Sequence, residues 1–301
     1  MRTVYLGTSD FAAAVLRRLA GSRHRPLLAL TPPDSRSGRG RRAGPPPAAE
    51  AAAELGIELL QAGDVNDEAT LERIRAVRPD ALAVCAFGQL IREPLLSAWP
   101  LLNVHPSLLP RWRGAAPIER AIMAGDERTG VSVMRIVAGL DSGPVALREE
   151  LRIAPEDDFE GLAAKLAALG GEMLAQAFDE LEEGALEFVE QDEREATYAE
   201  KIEAAERRLD PGRPAVELAR RVRALTPHVG AYLELDRDER LGVRRARAVD
   251  VSLRSGEIRA EWGALLLGCC RGALRMEVVQ PAGGKPMAAD AYLRGHPVPA
   301  L

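Results

Sequence analysis

The stretch Ala81-Leu-Ala-Val-Cys-Ala-Phe87 is an almost continuous apolar run. Such a run suits a strand covered on both faces, as in a parallel sheet flanked by helices. Toward the N-terminus, Thr3 to Leu6 and Leu27 to Leu30 read as strands. Between them a helix begins near Phe11 and runs through Leu16 and Leu19, capped by Ser9 or Asp10. A helix over Ala48 to Leu55, a short strand over Ile57 to Leu60 and a helix over Glu68 to Val77 follow. Toward the C-terminus, strands are predicted at Leu101 to Val104, Val131 to Val137 and Val145 to Ile153, then a long helix from Phe159 to Leu181. Strands alternating with helices predict a doubly wound, Rossmann-like α/β sheet.

From about Phe188 the character changes. Gln191 to Glu206 is highly charged and reads as a connector. A short helix over Ala215 to Ala224 precedes strand-like runs near Ala231 to Leu235, Arg244 to Val251, Ala264 to Cys269 and Ala273 to Gln280. Short strands with glycine-containing turns favour a small β-barrel. The expected organisation is a catalytic domain over 1–190, a linker over 191–204 and a barrel over 205–301. A length of 301 residues fits two domains.

A hydrophobic fraction of 47% and a charged fraction of 28% are those of a globular protein, which excludes wholesale disorder. No apolar run approaches the roughly 18–20 residues of a membrane span. The chain enters the apolar segment Val4 to Leu6 with no signal-peptide pattern, so a cytoplasmic protein is expected. Cys85, Cys269 and Cys270 form neither a disulfide framework nor a zinc pattern and read as buried, reduced thiols. The four histidines, His24, His105, His228 and His296, lie far apart, so no metal is expected. The net charge of -5 disfavours a polyanionic partner only if it is evenly spread. It is not: residues 1–204 carry 23 basic and 33 acidic side chains, and residues 205–301 carry 17 and 12.

An open α/β sheet binds ligands outside the carboxyl ends of its strands. The first such turn, Gly7-Thr-Ser-Asp10, lacks the dinucleotide fingerprint, and no phosphate-loop pattern occurs. The informative segment is Leu101-Leu-Asn-Val-His-Pro-Ser-Leu-Leu-Pro110. Asn103 and His105 stand two apart, so on an extended segment both side chains face the same way. Pro106 then takes the chain out of the sheet. An Asn amide can donate to a developing oxyanion, and a His can move a proton near neutral pH. Asp141, in the tight turn Gly139-Leu-Asp-Ser-Gly-Pro144, offers a carboxylate that would fix the tautomer of His105. No Cys or Ser is placed as a nucleophile, which points to direct transfer without a covalent intermediate. Spacing alone leaves open whether these three side chains meet.

These motifs resemble the methionyl-tRNA formyltransferase family over nearly the whole chain. The wider folate-dependent group shares the pattern of Asn103 to Pro110. More particular are Arg111-Trp-Arg-Gly-Ala-Ala-Pro-Ile118, Ala124-Gly-Asp126, Thr129-Gly-Val131, Gly139-Leu-Asp-Ser-Gly143, Tyr198-Ala-Glu-Lys-Ile202 and Gln280-Pro-Ala-Gly283. The resemblance implies formyl transfer from 10-formyltetrahydrofolate to the amino group of initiator methionyl-tRNA. It implies catalytic roles for Asn103, His105 and Asp141. It also implies folate contacts from Phe87, Gly88, Gln89 and Leu90 and from Ser107, Leu108, Leu109 and Pro110. The Arg-rich loop, with Arg36, Arg39, Arg41 and Arg42, corresponds to a loop that reaches the tRNA acceptor stem. The second domain corresponds to an oligonucleotide-binding-type barrel, and the basic excess of residues 205–301 fits a barrel that contacts the tRNA backbone; Arg220, Arg221 and Arg223 share a short helix there, and Arg244, Arg245 and Arg247 a strand-like run. A monomer is expected. A sugar-nucleotide N-formyltransferase, a glycinamide ribonucleotide formyltransferase and a non-enzymatic RNA-binding protein are the competing readings.

Overall fold

The computed structural model describes residues 1–36, 43–236 and 239–301. The chain begins β1 (Thr3–Gly7), α1 (Asp10–Ala20), β2 (Pro26–Thr31), β3 (Ser35–Arg36), β4 (Ala43–Gly44), α2 (Pro47–Leu55), β5 (Glu58–Gln61) and α3 (Glu68–Ala76). It continues β6 (Ala81–Cys85), α4 (Leu95–Ala98), β7 (Leu101–His105), β8 (Arg113–Gly114), α5 (Pro117–Ala124), β9 (Arg128–Arg135), β10 (Val145–Arg152) and α6 (Phe159–Glu183). The remainder is β11 (Tyr198–Ala199), α7 (Ala215–Leu225), β12 (Ala231–Glu234), β13 (Arg240–Val249), β14 (Ile258–Glu261), β15 (Ala264–Gly268), β16 (Ala273–Gln280), β17 (Met287–Ala288) and α8 (Ala289–Gly295).

Two units interleave along the chain. One comprises Met1–Gly114, Arg128–Arg152 and Ala163–Tyr198; the other comprises Ala115–Glu127, Ile153–Leu162 and Ala199–Leu301. This differs from a single break in the 191–204 segment, because α5 packs on α7 and so groups with the C-terminal sheet.

The first unit holds a seven-stranded sheet in the order β10-β9-β7-β6-β1-β2-β5. The five strands from β7 to β5 are parallel, while β9 runs antiparallel to both β7 and β10. The strand order reverses between β1 and β6, and sheets of this kind take ligands at the carboxyl ends beside that switch. Thr8 Oγ1 donates to Phe87 O at 2.8 Å and ties those two ends together. Ser9 caps α1 by accepting from Ala12 N at 3.3 Å, resolving the choice between Ser9 and Asp10. Leu28, Leu30, Leu82, Leu95, Leu71 and Ile74 pack one core between sheet and helices. On the other face α6 comes close because of Gly170, where a Cβ would stand 2.6 Å from Val104 Cγ1. The Arg-rich segment was expected to be all loop, yet β3 and β4 pair antiparallel at its base, Arg36 opposite Ala43. Arg39, Arg41 and Arg42 lie outside the described residues.

In the second unit β12-β13-β16-β15-β14 form an antiparallel sheet, with β17 added on β16. This is the small β-domain expected from the sequence; among the described residues no ladder joins β12 to β14. Leu218, Val222 and Leu225 of α7 bury against Leu233, Val243, Leu267 and Met276. The α5 helix went unread in the sequence, although Pro117 in its first turn and the left-handed Gly125 (φ 76°) at its end are ordinary boundary signals. Arg221 and Arg223 of α7 are half-buried, and burial lowers their basicity; Arg223 Nη1 donates to Asp157 O. Arg244 likewise donates to Gln280 Oε1, at 2.9 and 2.6 Å.

Cys85 and Cys269 are buried, and burial pushes their thiols up to about 12 and about 11. Cys270 is exposed, a correction to the expectation of three buried thiols. Among the described residues no helix is long and apolar enough to cross a membrane.

Within the second unit Arg120 donates to both carboxylate oxygens of Glu206, at 2.5 and 3.0 Å. That hydrogen-bonded guanidinium holds the Glu206 carboxyl below its ordinary range. A depressed folded-state value contributes stability above the unfolded value, and the contribution is lost as pH falls through the folded one. Glu206→Gln is therefore expected to cost about 1 kcal/mol at pH 7, a figure discounted for solvent screening. Its deficit against the parent should close on acidification in urea titrations; a deficit independent of pH would remove the ion pair as its cause.

Candidate active site

β7 lies between β6, with Val84 opposite Asn103, and β9, with Ser132 opposite His105. Its alternation puts Leu101, Asn103 and His105 on one face, as the two-residue spacing requires. Asn103 is 9% exposed and His105 4% exposed. His105 Nε2 stands 2.8 Å from Trp112 O, and a carbonyl oxygen can only accept, so Nε2 carries the proton. His105 Nδ1 stands 3.7 Å from Asp141 Oδ2.

Asp141 reaches that place by an unexpected route. Since β9 is antiparallel to β7, the loop after β9 starts at the far end of β7, where Ile136 N donates to Leu101 O at 3.0 Å. The 136–144 loop then doubles back. Gly143 permits the fold, because a Cβ there would lie 1.9 Å from Arg135 O. Asp141 itself has φ 45°, a left-handed conformation that Asp tolerates better than most residues. Its Oδ2 accepts from Gly114 N at 2.8 Å. The 112–114 segment thus supplies both the Trp112 carbonyl for His105 and the Gly114 amide for Asp141. Trp112 is also left-handed, at φ 61°. Non-glycine residues in such conformations persist where the surroundings over-determine them, commonly at functional sites.

The other expected site residues divide. Phe87 is 4% exposed in the core. Gln89 accepts from Val65 N at 2.8 Å and donates to Ala62 O at 2.9 Å, fixing its own loop. Ser107 is fully buried and donates to Arg111 O at 2.6 Å, so the hydroxyl nearest His105 in sequence is committed to the backbone. Leu109 is buried with Met134 and Val145, and Pro110 is buried too. Gly88 and Leu90 are exposed, and Leu108 is half-buried.

Sequence reading passed over two features. One is a cavity of about 350 Å³ lined by Leu96 to Leu101, Arg135 and Ile136, at the end of β7 where the Asp141 loop begins. The other is Gln191, read as part of a connector, whose amide meets the Asp141 loop. Only its side chain of two hydrogen-bonding functions hinted at this.

Two family models match: Formyl transferase over residues 1–178, and Formyl transferase, C-terminal domain, over 201–297. The chain is 44% identical to the methionyl-tRNA formyltransferase of Methylobacillus flagellatus, over 99% of this chain and 97% of that one. The chain belongs to the methionyl-tRNA formyltransferase family. It is 41% identical to the namesake enzyme of Methylococcus capsulatus, over 98% of this chain and 97% of the other. Among solved structures, HypX from Aquifex aeolicus in complex with tetrahydrofolic acid superposes with a TM-score of 0.67 at 18% identity. That match covers 97% of this chain but 47% of HypX, and at such identity it establishes the fold alone. Family membership makes the chain a formyl-transferring enzyme and accounts for the two-part architecture.

The Trp112 contact makes a direct statement about protons. Nitrogen-15 spectra of His105 are expected to show a protonated Nε2 in both charge states of the ring; a bare Nε2 in the neutral ring would overturn the hydrogen-bond assignment.

Proposed function

We propose that this chain transfers the formyl group of 10-formyltetrahydrofolate to the amino group of initiator methionyl-tRNA in the cytoplasm. The observation that carries the reading is the approach of Asp141, from a loop that doubles back, to His105, which shares one face of β7 with Asn103. A substrate atom about 2.8 Å from both His105 Nδ1 and Asp141 Oδ2 forms a triangle with them, at ordinary hydrogen-bond lengths. The acceptor nitrogen suits that position. As it attacks the formyl carbon, Asp141 or His105 takes the proton it loses. The Asn103 side-chain amide donates to the oxygen that becomes negative. The bond from the formyl carbon to the folate nitrogen then breaks, and that nitrogen takes up a proton, so the overall transfer is proton-neutral. The folate is a substrate consumed in each turnover. We assign its flat ring to the cavity beside Leu101, with Gly88, Leu90 and Leu108 as accessible contacts. Phe87, Gln89, Ser107, Leu109 and Pro110 shape the same loops from within.

For the tRNA we assign Arg36, Arg39, Arg41 and Arg42 to the acceptor end and the β13–β16 face to the backbone. On that face Arg245, Arg247 and Arg275 share the single carboxylate of Glu277, at 3.2, 3.1 and 3.8 Å, leaving an excess of positive charge. In this reading residues 1–190 carry the chemistry, 191–204 connect and 205–301 hold the tRNA.

Two tests follow. With 10-formyltetrahydrofolate supplied, turnover is expected with methionyl-tRNA and not with uncharged tRNA or sugar nucleotides; turnover confined to a sugar nucleotide would replace the reading. Asn103→Ala should lower single-turnover rates by about 10²–10³, the usual loss of an oxyanion donor. Phosphate contacts release counterions, so the KM for tRNA should rise steeply with salt while the KM for folate barely moves. Replacing Arg39, Arg41 and Arg42 together by Ala should flatten that salt dependence; an unaltered slope would take the loop out of tRNA recognition.

A further inference from the structure

We propose that Gln191, held by the buried Arg113, is a positioning residue that sets where the Asp141 carboxylate stands against His105. The inference rests on the formyl-transfer reading for its kinetic consequence, and on geometry alone for its structural one. Gln191 Nε2 donates to Asp141 O at 2.8 Å and to Gly143 O at 2.7 Å, which uses both of its hydrogens. Gln191 Oε1 accepts from Arg113 Nε at 3.0 Å. These partners fix the amide orientation, since its reverse would set an oxygen against two carbonyl oxygens. Arg113 is 1% exposed, and its remaining nitrogens donate to the two Glu193 oxygens at 2.9 and 2.8 Å.

The geometry gives this chain of contacts a specific task. Asp141 and Gly143 flank the tight turn whose left-handed residue aims the carboxylate. Gln191 clamps the turn from its carbonyl side, while Gly114 N, in the residue after Arg113, holds the carboxylate itself. One residue pair thus controls both the backbone and the side chain of Asp141. Misplacing a reacting group by about 1 Å can cost about 10²-fold in rate without any loss of substrate binding.

The test uses the full chain and two variants, Gln191→Glu and Gln191→Leu, neither of which can donate to the two carbonyls. With folate and methionyl-tRNA both saturating, kcat is expected to fall about tenfold or more while both KM values change less than about twofold. In an Asp141→Ala background the same substitutions should add less than about twofold, because a residue acting through Asp141 has nothing left to position. Additive losses would assign Gln191 a general structural role and overturn the proposal. Crystal structures of parent and variants give a readout free of any assay: Asp141 Oδ2 should draw away from His105 Nδ1 by about 1 Å. An unchanged separation also overturns it. A parent without formyl transfer would count against the functional reading only, and the crystallographic arm would still decide the positioning role.

Discussion

Arg113 is a guanidinium that the fold has almost entirely removed from water, and a charge in that position must be paired and hydrogen-bonded. Its pairing draws Glu193 and Gln191 onto one spot, and the guanidinium holds the Glu193 carboxyl below the ordinary carboxylate range. Arg113 N also donates to Thr197 O at 2.9 Å, and Trp112 N to Thr197 Oγ1 at 2.9 Å. The segment after the α6 helix is thereby stitched to residues 112–114. Those same residues present the carbonyl that orients His105 and the amide that holds Asp141. A stretch that looks like a charged connector is therefore the brace of the reacting groups, and the unusual backbone of Trp112 and Asp141 is tolerated because so many contacts converge on it.

The division of labour within the sheet follows from its topology. Parallel strands deliver Asn103 and His105 at a carboxyl end, where their side chains clear the ladder. The loop that follows the antiparallel β9 leaves from the opposite end of β7, so Asp141 arrives only because that loop folds back over the sheet. Such a loop needs outside support, and Gln191 supplies it from a position fifty residues away in the chain. The charge distribution has a similar logic. Part of the excess arginine in the C-terminal half is spent on packing, in Arg221, Arg223 and Arg244, while on β13 and β16 three arginines share the one carboxylate of Glu277.

The pattern of apolar runs placed the strands of the seven-stranded sheet and the longer helices of the first unit to within a few residues, because burial on a sheet face or helix stripe is written in neighbouring positions. The face shared by Asn103 and His105 was legible for the same reason. Elements with weak internal patterns were not: α5, the charged β14 with Arg259 and Glu261, and α8 went unread. The single linker expected at 191–204 was drawn from composition, which records charge but not the partner that charge will find.

The sequence by itself determined the order of elements, the presentation of two polar side chains at a strand end, and membership in a formyltransferase family through motifs that extend along the chain. Only the tertiary structure decided that Asp141 meets His105, that Ser107 and Phe87 turn inward, and that Arg113 and Gln191 belong to the site. The physical reason is distance along the chain. Periodicity and turn chemistry act over a few residues, whereas these contacts exist only once the sheet has closed and the buried guanidinium has taken its partners from a segment far downstream.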